Sequence, residues 1–281
     1  MTHPNIVIIG HVCIDHNTTE NATYTAWGST VLYIAQYFQS AHNIKPTVIS
    51  AYGPDMTPYA IDFTLLPKEP NRTSTLIYEN DTRQIPRIWR AHNTAIATAP
   101  ELTPELIQTI QDADIVIIGT LLPNYSVEYI RELLSHAKAD SLKVLCPQGY
   151  FRTVSESGLV VPRNFAEGPQ IVPLFDLVIY SEEDHPRAFA VASEWASYTN
   201  KTHIIVTEGP MGASIVTANK PIHIPTVPLS PDEIVDSVGC GDVFDATVTY
   251  SYYVHKDLDR AIRDAHKAAT AKLLAIPVQQ S

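Results

Sequence analysis

The run DSVGCGD, Asp236 to Asp242, sets two glycines around one small residue and closes on a carboxylate. It stands directly before VFDATVTYSYYV, which reads as the start of a buried helix. The chain has only eleven glycines, so two placed here point to a use. The first N–H groups of a helix lack partners within it and carry the positive end of its dipole, which makes them an anion site. Glycine lets the backbone approach an anion closely. Gly239, Cys240 and Gly241 then read as a cradle for a phosphoryl group, with Asp242 at its rim to take a proton from an attacking hydroxyl. Two other readings bear on these residues. One is a tight turn with a capping aspartate. The other is half of a dinucleotide fingerprint, which fails because its third glycine position holds Phe244.

Such a cradle needs strands to deliver the loop and helices to open on it. Short apolar β-branched runs recur at 6–10, 47–50, 114–119, 143–146, 177–180, 203–207 and 213–217. They read as strands buried on both faces. Between them, helical patterns start after Gly28 (Val31, Ala35, Phe38) and cover roughly 124–138, 183–199, 240–254 and 257–275. The alternation predicts an α/β fold with a doubly wound, mostly parallel sheet sandwiched by helices. Segments 16–27 and 72–93 break the rhythm and suit antiparallel strands forming a small β flap over the carboxyl ends of the central strands. One domain over 1–281, with these two lid segments inserted, is the predicted organisation.

The 281 residues suffice for a substantial core, and 45 % hydrophobic with 17 % charged residues is an ordinary globular mixture. A net charge of −11 makes nucleic acid a poor partner. Cys13, Cys146 and Cys240 are far apart and odd in number, which argues against a disulfide framework. The apolar run at 6–10 is too short for a signal peptide or a membrane span, so a cytoplasmic location is expected. The sequence has no P-loop, no H-E-x-x-H and no G-x-S-x-G elbow.

DSVGCGD closely resembles the D-T-x-G-A-G-D signature of the ribokinase-like, PfkB-type carbohydrate kinases. Other pieces follow in that family's order: GHVCID (10–15), WGSTVLYIAQYFQS (27–40), GPD (53–55), VTEGPMGA (206–213) and the closing helix AIRDAHKAATAKLL. The resemblance implies an ATP-dependent kinase acting on a hydroxyl of a small sugar, cyclitol or related polyol. A nucleoside kinase of the same fold, or a non-catalytic binding module, is the alternative.

The resemblance also implies roles. Asp242 is the catalytic base, kept ionised by its helix N-terminus. Gly239, Cys240 and Gly241 form the anion hole. Asp15, at the carboxyl end of the first strand, accepts from two substrate hydroxyls. Gly28 and Ser29 bring backbone close to the substrate. The family usually carries two glycines here, against Trp27-Gly28, and ribose-type members carry an asparagine where this chain has Leu32-Tyr33. CPQGYFR (146–152) resembles a D-x-Q-G-x-x-R variant with Cys146 in place of the aspartate. Gln148 is then a substrate contact, and Arg152 either pairs an anion or forms a structural ion pair. Thr207, Gly209 and Gly212 line the nucleotide site, and Ser181 and Asp184 stand for the family's N-x-x-E with shorter arms. Mg²⁺ is expected with the nucleotide, and the analogy allows K⁺ near Asp236. The flap's edge invites a homodimer.

Overall fold

Residues 3–59, 63–84 and 88–275 are described by a computed structural model. From the N-terminus, β1 (Ile6–Gly10) leads into β2 (Cys13–Thr18) and β3 (Thr23–Gly28), then α1 (Thr30–His42) and β4 (Thr47–Ile49). There follow β5 (Thr64–Leu66), β6 (Leu76–Asp81), β7 (Ile88–His92), α2 (Pro104–Gln111), β8 (Ile115–Gly119), α3 (Val127–Ser135) and β9 (Leu142–Cys146). A small hairpin, β10 (Arg152–Val154) with β11 (Val160–Pro162), precedes α4 (Gly168–Ile171), β12 (Leu177–Ser181), α5 (Ala188–Tyr198) and β13 (His203–Thr207). The last elements are β14 (Gly212–Val216), β15 (Ile222–Pro225), α6 (Cys240–His255) and α7 (Leu258–Leu273).

The main sheet has nine strands in the order β15-β14-β13-β12-β9-β8-β1-β4-β5. The sequence IVIIG occurs twice, as β1 and β8, paired in parallel with Ile6 beside Ile115, and every residue of both is buried. Alternate side chains feed two cores. Ile6, Ile8, Ile115 and Ile117 pack with α1, α6 and α7, while Val7, Ile9, Val116 and Ile118 pack with α2, α3 and α5. Each such side chain contributes about 1.5–3 kcal/mol relative to exposure. The strand order runs outward in opposite directions from the β1–β8 pair, so a crevice opens where the two parallel strands end.

Local chemistry sets the helix starts. Thr103 and Ser126 accept from the amides of Leu106 and Tyr129 and begin α2 and α3. The α1 helix stops at Asn43, whose φ of 53° is left-handed. The sheet is mostly parallel as expected, but β14 runs antiparallel to β13. The short turn at Gly209–Met211 leaves no length for a crossover. The patterns missed α2, the three-residue strands β5, β10 and β11, and β15.

A second sheet, in the order β3-β2-β6-β7, stands on the crevice side of the first. Asp15 belongs to this sheet, opposite Ala26 in β3, and not to the end of β1 as expected. The strand β1 ends at Gly10, and Cys13 restarts the chain as β2.

Candidate active site

The crevice holds a cavity of about 510 Å³ lined by both sheets, the start of α1, the start of α6 and the C-terminal half of α7. Every predicted site residue except Gly28 lies on its wall. Gly28 sits one layer back. A Cβ there would fall 1.9 Å from Asp15 Oδ2, so this glycine makes room for the Asp15 carboxylate and does not itself reach a ligand. Asp15 is 4 % exposed. Cys13 Sγ donates to Oδ1 at 3.0 Å and Tyr33 Oη to Oδ2 at 3.3 Å. Burial outweighs these donors and raises the carboxyl to about 7.

Ser29 caps α1, accepting from the Leu32 amide at 3.4 Å, with φ at 110°. That is backbone conformation that glycine adopts far more readily than serine. Trp27 is buried edge-on against Phe63, away from the cavity. The aromatic face on the cavity wall is Trp89, from β7, with the Arg152 guanidinium 4.8 Å from its ring centre.

The signature loop enters α6 through Gly239, whose φ of 76° and contact with the Tyr33 ring admit no side chain without strain. The Cys240 amide lies 3.4 Å from Ser237 O, a long contact that a stronger acceptor would displace. The next amides, Gly241 and Asp242, belong to the first turn, where a helix supplies no acceptor. A Cβ on Gly241 would meet no protein atom within 4 Å; the space it would enter is open. Asp242 lines the cavity with the Thr30 hydroxyl beside it. Burial raises its carboxyl to about 6, against the lowering by Thr30 and Arg152. At neutral pH the carboxyl is still largely ionised, as a base at this position must be.

Arg152 and its neighbours join α1, β12 and the turn after β9. Arg152 Nη2 donates to Gln148 Oε1 at 3.0 Å and to Asp184 Oδ1 at 3.3 Å, and Gln148 Nε2 donates to Thr30. Arg152 and Asp184 form a buried ion pair on the cavity wall. Asp184 is doubly committed, since its Oδ2 also accepts from the Ser181 amide at 3.0 Å. Ser181 in turn accepts from the Glu183 amide.

Thr207 ends β13, and Gly209 and Gly212 shape the turn beyond it. Facing them are Val227, Leu229 and Ile234 with Ala269 and Leu273 of α7, an apolar slot beside the loop. Val227 is 83 % exposed, so its side chain is available to a flat apolar ligand. The Pro-rich stretch PTVPLS was the unread signal for this wall.

Asp245 was also missed. It lies one helical turn beyond Asp242, on the same face of α6 and on the cavity wall. It hydrogen-bonds the Cys146 thiol, and burial, with Asp242 nearby, pushes its carboxyl well above the usual range. The i, i+3 spacing of two aspartates on one helix was the available sign.

Among the described residues no cluster of three or more His, Cys, Asp or Glu could hold a metal ion directly, and no helix is long and apolar enough to cross a membrane.

The sequence profile described as pfkB family carbohydrate kinase matches residues 58–280. A ribokinase of Bacillus subtilis (strain 168) is 32 % identical over 76 residues, 27 % of this chain and only 25 % of that protein's length. A pyrophosphate-dependent kinase of the ribokinase family, solved with a pyrophosphate analog and myo-inositol, superposes with TM-score 0.71 at 18 % identity, over 98 % of this chain and 97 % of that one. An uncharacterized sugar kinase from Pyrococcus horikoshii, solved with ATP, gives TM-score 0.72 at 17 % identity, over 98 % and 94 %. The fold is ribokinase-like, and the chain belongs to the pfkB family of carbohydrate kinases.

Proposed function

We propose that the chain transfers the γ-phosphoryl group of ATP to a hydroxyl of a small polyol, with cyclitols the favoured class. The observation that carries this reading is Asp242, a desolvated carboxylate at the open N-terminus of α6, in one cavity with Asp15. The acceptor lies between Asp15, Asn80 and the face of Trp89. Asp15 accepts from its hydroxyls, and the ring's C–H face rests on the indole. The reacting hydroxyl oxygen forms its bond to the γ-phosphorus as the bridging oxygen leaves with ADP, and Asp242 takes the hydroxyl proton. The amides around Cys240 and Gly241 stabilise the charge on the transferring group.

Mg²⁺ bound with the nucleotide would neutralise its phosphates. Among the described residues no carboxylate cluster would hold the metal directly, and Asp184 is occupied by Arg152, so the metal would be held by the phosphates and by water. The β3-β2-β6-β7 sheet acts as a lid within a single kinase domain, excluding water as a competing acceptor. The β7 edge is covered by the Gly158 carbonyl on the Ala91 amide, which leaves β3 as the edge for a second copy.

Pyrophosphate, the donor of one structural neighbour, is the competing reading. The apolar slot at Val227 and Leu229 favours a nucleotide, because pyrophosphate has no surface to bury there. The test is ADP or phosphate release with each donor over a panel of cyclitols, sugars and nucleosides. ADP release with a cyclitol supports the proposal. Turnover with pyrophosphate alone replaces the donor, and none with any pair favours a non-catalytic binding module.

A further inference from the structure

Asp236 opens the signature loop three residues before Gly239 and is 3 % exposed. A buried carboxylate requires a compensating positive charge. The family resemblance allows a monovalent metal ion near it, and the surroundings of Asp236 test that directly. Lys272, in the last turn of α7, places Nζ 3.1 Å from Asp236 Oδ2. Tyr24 of β3 donates to the same oxygen at 3.2 Å, and the Val238 amide donates to Oδ1 at 3.0 Å. The Leu273 carbonyl accepts from the amides of Val235 and Asp236 at 2.9 and 3.3 Å. Among the described residues both carboxylate oxygens have donors, an ammonium on one of them, and the adjoining carbonyl is used as well. A metal ion would have to displace an ammonium or settle beside it, and like charges at that spacing repel.

We infer that Lys272 supplies the fixed positive charge that orders the Asp236–Gly239 loop, and that this site takes no monovalent metal ion. The inference deepens the kinase reading and rests on it for its link to catalysis. Lys272 is a positioning residue. Its ammonium holds the loop from behind, and the same ion pair joins the cradle to Tyr24 of the second sheet. Its charge also reaches Asp242, lowering that carboxyl against the rise from burial. A tethered ammonium orders the loop without the entropic cost of capturing an ion, so the cradle is assembled before donor arrives.

The experiment compares KCl with tetramethylammonium chloride at equal ionic strength, on the full chain and on Lys272→Met, which keeps side-chain length and removes the charge. Thermal unfolding is read without nucleotide, so its outcome is separate from whether the chain binds ATP. Wild-type Tm is expected to agree between the two salts within about 1 °C, while K⁺ raises that of Lys272→Met by roughly 3 °C or more as the ion fills the vacated site. In a second arm, calorimetry measures Mg·ATP. Wild type is expected to bind equally in both salts, and Lys272→Met about ten-fold more weakly in tetramethylammonium, with K⁺ restoring it. A K⁺-dependent Tm or Mg·ATP affinity in wild type overturns the inference and needs no variant. An Lys272→Met protein indifferent to K⁺ also overturns it. Should that variant fail to fold, Lys272→Arg is read instead, and any K⁺ response there counts against the inference.

Discussion

The hydroxyl of Thr30, first residue of α1, stands beside the carboxylate of Asp242, third residue of α6, and holds that carboxyl down against the rise from burial. Two helices that begin far apart in the chain therefore open on the same point. Gln148 donates to the same Thr30 hydroxyl and accepts from Arg152, so the proposed base is held by a chain of neutral and charged donors. Because such a network fixes geometry more than it ionises the group, burial still controls the Asp242 charge.

The pH profile follows from that balance. Asp242 must be ionised to act as a base, and burial raises it to about 6. Activity should climb as pH rises through about 6 and level off above it, and kcat/KM for the acceptor against pH is the measurement. Asp242→Asn should reduce turnover at least ~10²-fold while Mg·ATP binding persists. Turnover near wild type would remove Asp242 from the role.

Stability should run the opposite way. Asp15 is raised to about 7 by burial, so folding favours its protonated form. The resulting stabilisation is complete below the unfolded carboxyl's range near ~4 and disappears as pH rises through about 7. Asp15→Asn keeps the shape and removes the titration. The difference in Tm between pH 5 and pH 8 should be smaller in this variant than in wild type, and acceptor affinity should fall. An unchanged Tm difference would show that Asp15 does not titrate where its surroundings place it.

Gly241 separates fold from function. A methyl group there meets only open space, and a helical glycine destabilises by roughly 0.5–1 kcal/mol relative to alanine. Gly241→Ala should therefore keep or raise Tm while cutting kcat/KM for ATP about ten-fold or more, because the methyl enters the phosphoryl cradle. Loss of both stability and activity would mean that the glycine serves the chain itself.

What could be read in advance was what repeats or sits next to its partner in sequence. The twin IVIIG strands and the α6 start declared themselves because burial on both faces and a glycine-rich helix entry are local signals. Asp15 was recognised but set on the wrong sheet, since three residues decide whether β1 continues or a new strand begins. Asp245 and Trp89 act from the far side of contacts more than fifty residues long, with Cys146 and Arg152, and no local pattern marks such pairs. The Lys272–Asp236 pair was hidden for the same reason, with α6 and α7 folding back between its partners.

Ser29 carries stored strain. Its φ of 110° costs a residue with a side chain about 1–3 kcal/mol, while exchanging a serine cap for glycine loses only a few tenths. Ser29→Gly should raise stability by about 1 kcal/mol in a denaturant titration. A destabilised variant would show that the Ser29 hydroxyl contributes more than its long bond to Leu32 suggests.

Asp245 offers the sharpest test of acceptor recognition. The family resemblance expects an aspartate at 146, where this chain has Cys146, and Asp245 brings a carboxyl against that thiol from α6. Burial pushes its carboxyl well above the usual range and so favours the protonated form, which can both donate and accept. Asparagine has the same shape and both capacities, whereas leucine has neither. Asp245→Asn should keep acceptor kcat/KM within about three-fold, and Asp245→Leu should lower it at least ten-fold with Mg·ATP affinity unchanged, the scale of one lost hydrogen bond in a closed site. If both variants lose activity equally, the group works as an anion, and its place is with the metal–phosphate charges and not with the acceptor.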